Sequence, residues 1–256
     1  MLLPRLIPCL LLSNGGLVKT VKFKRAKYVG DPINIVKIFN EKEVDELVFL
    51  DIDATFRDTP PPFELLERVA GEAFMPMAYG GGLRSLHDVK RILSIGFEKI
   101  VINTYAVQNP AFVTAAADLV GSQSVVVSID VKKNLWRKYE VYTHGGRKVA
   151  GLTPVTHAKR MERAGAGELL LSSIDRDGTM QGYDLDLTMQ VTGEVSIPVI
   201  VCGGARTVDD LASAIKIGGA SAAAAGSMFV FHGPHRAVLV TYPRFSEIQE
   251  LFEEAG

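Results

Sequence analysis

The chain reads twice. The segment YGGGLRSLHDVKRILSIG, from Tyr79 to Gly96, recurs in form as VCGGARTVDDLASAIKIG, from Val201 to Gly218. Gly81 then aligns with Gly203 and Arg84 with Arg206, an offset of 122 residues (81 to 203). The same offset aligns DELVFLDID (45–53) with GELLLSSID (167–175). Short apolar runs alternate with helix-like stretches throughout. The runs are RLIPCLL, ELVFLDI, MPMAY, KIVIN, SVVVSI, ELLLSSI, IPVIVC and ASAAAAG. Near-continuous apolar strands between amphipathic helices indicate a parallel sheet covered by helices. Eight such units in 256 residues predict one α/β domain, a closed (βα)8 TIM barrel spanning 1–256. Its two duplicated half-barrels fall at roughly 1–122 and 123–256. An open doubly wound sheet is the runner-up, but the symmetric duplication favours closure.

The 28 Lys and Arg nearly balance the 29 Asp and Glu, so net charge selects no partner. Nothing in the sequence calls for nucleic acid. No apolar stretch is long enough to span a bilayer, and no membrane partner is expected. The start, MLLPRLIPCLLL, resembles a signal peptide only briefly, because Pro4, Arg5 and Pro8 interrupt it and no small-residue cleavage site follows. It reads as the first strand. Cys9 and Cys202 lie inside apolar runs, which suits a reduced, cytoplasmic protein with no disulfide framework, no metal site and no cofactor.

Two connections are long, 13–31 after the first strand and 132–154 after the fifth. The second resembles a hairpin turning at Gly145-Gly146. The first crowds Lys19, Lys22, Lys24, Arg25 and Lys27 together without an acid, too much charge to pack in a core. Both follow the C-terminal ends of strands, where barrels place their sites. The first reads as a mobile lid over an anionic ligand, with Lys19 nearest that ligand and the distal lysines meeting a protein; a merely solvated loop is the alternative.

Glycines follow strands 3 and 7: Gly80, Gly81 and Gly82, then Gly203 and Gly204. Backbone N–H groups at such strand-to-helix turns can approach an anion. Asn103 and Thr104 add small donors beside the first set. Asp177, Gly178, Gly226 and Ser227 join the second. Two equivalent sets predict two phosphate sites and a phosphorylated small-molecule ligand; the alternative is that the glycines only make tight turns. Asp130 ends strand 5 and is placed as a general acid or base, or else as a loop anchor. Asp51, Asp53, Asp175 and Asp177 also stand at strand ends, more carboxylates than loop capping needs, though some of them hold structure. The position equivalent to Asp130 in the first half is Leu11, which transfers no proton. At the opposite end, Arg5, Glu46, Lys99 and Glu168 begin strands 1, 2, 4 and 6. They are either solvated or a ring of paired charges able to gate an axial opening.

At these residues the sequence resembles the HisF family, the cyclase subunit of imidazole glycerol phosphate synthase. The similarity runs nearly the whole chain and rests on GDP at Gly30, DELVFLDI at Asp45, INT at Ile102, GSQSVVVSID at Gly121 and SIDRDGT at Ser173. The resemblance implies a ligand with two phosphates and a HisH-like glutaminase docked at the barrel base, near Glu98 and the four charges. Ammonia from that glutaminase would pass through the barrel. The family's gate falls on Arg5, Glu46, Lys99 and Glu168, all present. Its loop lysine falls on Lys19. Its catalytic pair falls on Leu11 and Asp130, so one partner is missing. That pattern, with the string IPCLLLSNGGLVKTVKFK, is similar to the WbuZ-type paralogues of surface-polysaccharide pathways. It implies a HisF-like lyase or amidotransferase-complex subunit that supplies ammonia, in a heterodimer, to an ATP-dependent sugar amidotransferase. A true cyclase of histidine biosynthesis and a non-catalytic scaffold are the other readings.

Overall fold

A computed structural model describes residues 3–233 and 235–253. Eight parallel strands close on themselves: β1 (Arg5–Ser13), β2 (Leu47–Asp51), β3 (Met77–Gly80), β4 (Lys99–Ile102), β5 (Val125–Lys133), β6 (Glu168–Ser173), β7 (Val199–Cys202) and β8 (Ala222–Ala225). Closure rests on β1, which pairs with β8 at Arg5↔Ala222 and with β2 at Cys9↔Val48. Helices lie between the strands, so the fold is the (βα)8 barrel that the alternating runs predict.

The apolar runs are continuous because both strand faces are covered. Along β1, Leu6, Leu10 and Leu12 pack outward under the helices, whereas Ile7 and Cys9 point into the barrel. The interior is filled by Val48, Ala78, Val101, Val126, Leu170, Ile200, Ala222 and Ala224, with Leu11, Leu50 and Cys202 packed against them toward the mouth. Local signals set the helix starts. Asp31 accepts from the Asn34 amide and Pro32 follows it, so the GDP string is a helix N-cap. Ser85 and Thr153 do the same for the helices Leu86–Ile95 and Pro154–Arg163.

The long connection after β1 is not a loop. Its residues Gly16–Val21 and Lys24–Gly30 form an antiparallel hairpin that extends β1 through Leu11↔Val18 and Ser13↔Gly16. The expectation that its charges stay out of the core is corrected at Lys19, which is 5 % exposed, while Lys22, Lys24, Arg25 and Lys27 are exposed as expected. The connection after β5 is the expected hairpin: β5 runs into Tyr139–Thr143 and turns through Gly145 and Gly146 to Lys148–Val149. No helix among the described residues is long and apolar enough to cross a membrane.

One buried group sets an acid limit on this fold. His157, on the helix Pro154–Arg163, is 0 % exposed, and no described residue partners either ring nitrogen. Burial, helped by Arg160, pulls its pKa from 6.5 down to about 4. The folded chain therefore keeps the ring neutral where the unfolded chain takes up a proton. The contribution of His157 to stability is intact above pH 6.5 and is lost as pH falls toward 4. Urea unfolding at successive pH values should show a slope of up to about 1.4 kcal/mol per pH unit in that window. His157→Leu should flatten it; an unchanged slope would remove His157 as the cause.

Candidate functional site

At the N-terminal ends of the strands the four charges meet. Arg5 donates to Glu46 Oε2 and to Glu168 Oε1, each at 2.5 Å. Lys99 Nζ lies 3.2 Å from Glu46 Oε2 and 2.9 Å from Glu168 Oε2. Cations and anions thus alternate around a closed ring. It forms because the starts of β1, β2, β4 and β6 aim these side chains at one axis. Glu46 and Glu168 are buried, and each is held by both cations, which compensates the loss of water.

At the opposite end one cavity of about 560 Å3 brings together Lys19, Gly82, Asn103, Thr104, Asp130, Asp177, Gly178, Gly203, Gly204, Gly226 and Ser227, while Asp175 and Lys27 are not part of its lining. Asp130 is 8 % exposed, and burial raises its pKa to about 7 against the opposing hydrogen bonds of Ser128 and Asn103. Ser128 Oγ stands 3.4 Å from Asp130 Oδ1. A carboxyl that titrates near neutrality can both give and take a proton, which is what general acid–base chemistry requires. Leu11 lines the same cavity from β1, four strands away and so across the barrel, beside Leu50 and Cys202. Around Leu11 the lining is mixed, since Ser13, Lys19, Asp51 and Asp53 face the same cavity.

The remaining strand-end carboxylates also hold loops, and Asp51, Asp53 and Asp177 line the cavity as well. Asp51 accepts from the Asp53 and Ala54 amides at 2.9 and 3.0 Å. Asp53 accepts from Ser13 Oγ and the Asn14 amide, and Asp175 from the Lys133 amide. Asp177 accepts from Thr20 Oγ1 at 2.8 Å and from the Phe23 amide at 3.2 Å, fastening the basic hairpin over the mouth. Gly178 completes that seat: a Cβ there would stand 2.1 Å from the Thr20 carbonyl oxygen. Lys19 points down from the hairpin and donates to the Cys9 carbonyl. Burial lowers its pKa, opposed by Cys9, Cys202 and Asp177.

Gly204 has φ +118°, and a Cβ on it would meet the Gly182 carbonyl oxygen at 2.2 Å, so this turn is closed to other residues. Thr104 Oγ1 accepts from the His144 amide at 3.0 Å, docking the second hairpin onto the mouth. Sequence reasoning missed Ser128, Cys9 and Cys202 as cavity-lining groups. Ser128 was findable, since it stands two residues before Asp130 on the same strand face. It also missed Phe56, whose ring lies 3.9 Å from the Arg147 guanidinium at the rim. The described residues contain no cluster of three or more metal-ligating side chains.

Residues 5–235 match the profile of the histidine biosynthesis protein family. A Pseudomonas aeruginosa protein, provisionally named imidazole glycerol phosphate synthase subunit hisF2, is 50% identical over 244 residues, 95% of this chain and 97% of its own length. A Leptospira interrogans protein provisionally named subunit HisF is 48% identical over 253 residues, 98% of this chain and 100% of its own. A Vibrio vulnificus protein provisionally named subunit hisF3 is 46% identical over 254 residues, 99% of this chain and 98% of its own. With a barrel of this form and relatives this similar along almost its whole length, the chain belongs to the HisF branch of the histidine biosynthesis protein family.

Proposed function

We propose that this chain is a HisF-like synthase subunit that receives ammonia through its barrel from a HisH-like glutaminase. It supplies that ammonia for amidation or amidine formation on a bacterial surface-polysaccharide sugar, with an ATP-dependent sugar amidotransferase as a further cytoplasmic partner. The observation that carries the reading is Leu11. A cyclisation that needs proton transfer on two sides of its substrate finds Asp130 on one wall and a hydrocarbon side chain on the other. The charge ring at the base is complete, so the parts suited to passing ammonia are kept where a part suited to ring closure is lost. The two glycine sets are proposed as phosphate sites on opposite walls, inherited with the half-barrel duplication at about 1–122 and 123–256. A true cyclase is the second reading, favoured by the near-neutral titration of Asp130 and by the names its relatives carry. A bare scaffold between glutaminase and amidotransferase is the third.

Two assays separate these readings. With ammonium supplied, turnover of the histidine-pathway intermediate should fall short of an ordinary cyclase by about 10²–10⁴-fold, the usual contribution of one acid–base group. Leu11→Asp should recover part of it; wild-type turnover at ordinary cyclase rates would favour the second reading. Purified glutaminase subunit should bind the face carrying Arg5, Glu46, Glu98, Lys99 and Glu168, and hydrolyse glutamine faster when bound. Lys99→Ala should alter how much of the released ammonia reaches the mouth rather than bulk solvent. Absence of both binding and stimulation would leave an independent enzyme.

A further inference from the structure

The turn that ends β5 presents its apolar residues outward. Leu135 is 96 % exposed and Trp136 79 % exposed, side by side at the apex. The apex is rigid. Asn134 Oδ1 accepts from the Trp136 and Lys138 amides at 2.9 and 3.0 Å, and Asn134 Nδ2 donates to Glu140 Oε1 at 3.0 Å. Backbone bonds from Asn134 to Lys138 and from Arg137 to Asn134, each 2.9 Å, close the turn, with Arg137 at φ 61°. A turn fixed this firmly holds two large apolar side chains in water, where an unpartnered loop would gain by folding them down.

Cations collar the apex. Lys132 and Lys133 precede it, and Arg137 and Lys138 follow it. Lys132 and Lys133 lean over the rings of Tyr142 and Tyr139, at 5.9 and 4.7 Å. Arg137 and Lys138 are exposed. The hairpin rises from the mouth: Lys133 stands three residues beyond Asp130, about 10 Å at the usual strand rise. The neighbouring basic hairpin reaches the same rim, where Phe23 packs against the Gly145–Gly146 turn, and its Lys22, Lys24 and Arg25 are exposed there too.

From apex to base, the order is hydrocarbon and indole, then cations, then aromatic rings. A bilayer surface with anionic lipids has the complementary order, acyl boundary and then phosphate. A convex apex enters such a surface without a matching pocket. We propose that this turn is an interfacial anchor for an anionic lipid surface. Leu135 and Trp136 enter the acyl boundary, and Lys132, Arg137 and Lys138 meet the headgroup phosphates. The barrel mouth then faces the membrane. This inference is independent of the proposed function, since it rests on the hairpin and not on the cavity.

Trp136 is the sole tryptophan of the chain, so its fluorescence reports the contact directly. The full-length protein should be mixed with vesicles of phosphatidylcholine alone and of phosphatidylcholine with phosphatidylglycerol, at low and high salt. Blue-shifted emission and co-sedimentation are expected with the mixed vesicles only, weakening as salt rises. Arg137→Gln and Lys138→Gln should each weaken binding roughly fivefold, about 1 kcal/mol per cation at an anionic surface. The double variant Leu135→Ser, Trp136→Ser should lose sedimentation while keeping the wild-type thermal unfolding midpoint, because both side chains are exposed. Unshifted emission with the protein left in solution at low salt overturns the proposal and makes an acidic protein the better occupant. Binding undiminished in the double variant also overturns it, because another charged face would then carry the contact.

Discussion

Closure of the sheet through β1 is the constraint on which everything else depends. Because β1 pairs with β8 on one side and β2 on the other, the strands cannot splay, and their ends are gathered onto a single axis. At the base, that gathering brings Arg5, Glu46, Lys99 and Glu168 within ion-pair distance, though they stand far apart in sequence. At the mouth it sets Leu11 across from Asp130. The same closure covers both strand faces, which is why the strands read as apolar runs without alternation.

The barrel was legible because its signal is periodic and repeated. Each of the eight apolar runs lies on a barrel strand, and the internal repeat fixed which strands correspond. The charge ring was legible as a possibility, since charged residues at the starts of apolar strands have few places to go. The hairpin after β1 was not legible. Its turn places Lys22 and Phe23 at positive φ, where glycine or asparagine would have been the expected sign, and Arg25 follows at positive φ in the second strand. Lys19 lines the mouth, but its burial is not legible, because charge density says nothing of a single side chain that folds inward and finds the Cys9 carbonyl. The strand-end carboxylates show the limit most clearly. Aspartates that hold a loop look identical in sequence to one that does not, and only the positions of neighbouring donors show that Asp51, Asp53, Asp175 and Asp177 bond loop groups while Asp130 meets Ser128.

The mouth sets one deeply buried carboxyl opposite a hydrocarbon side chain. Burial gives Asp130 a pKa near 7, while Ser128 and Asn103 favour its charged form and restrain the shift. Across from it stand Leu11, Leu50 and Cys202, with Lys19, Asp51 and Asp53 lining the same cavity. The basic hairpin, fastened by Asp177 and seated on Gly178, closes this space on the β1 side, and the hairpin after β5 closes it through the Thr104 contact.

Growth of a histidine auxotroph that lacks its own cyclase tests this account most directly. The strain would carry the gene for this chain together with a compatible glutaminase subunit. The account predicts no growth without histidine from the wild-type chain, and slow growth once Leu11→Asp restores the second carboxylate. Growth without histidine at the rate given by an ordinary cyclase would contradict it, since Asp130 would then suffice and the loss at position 11 would carry no functional meaning.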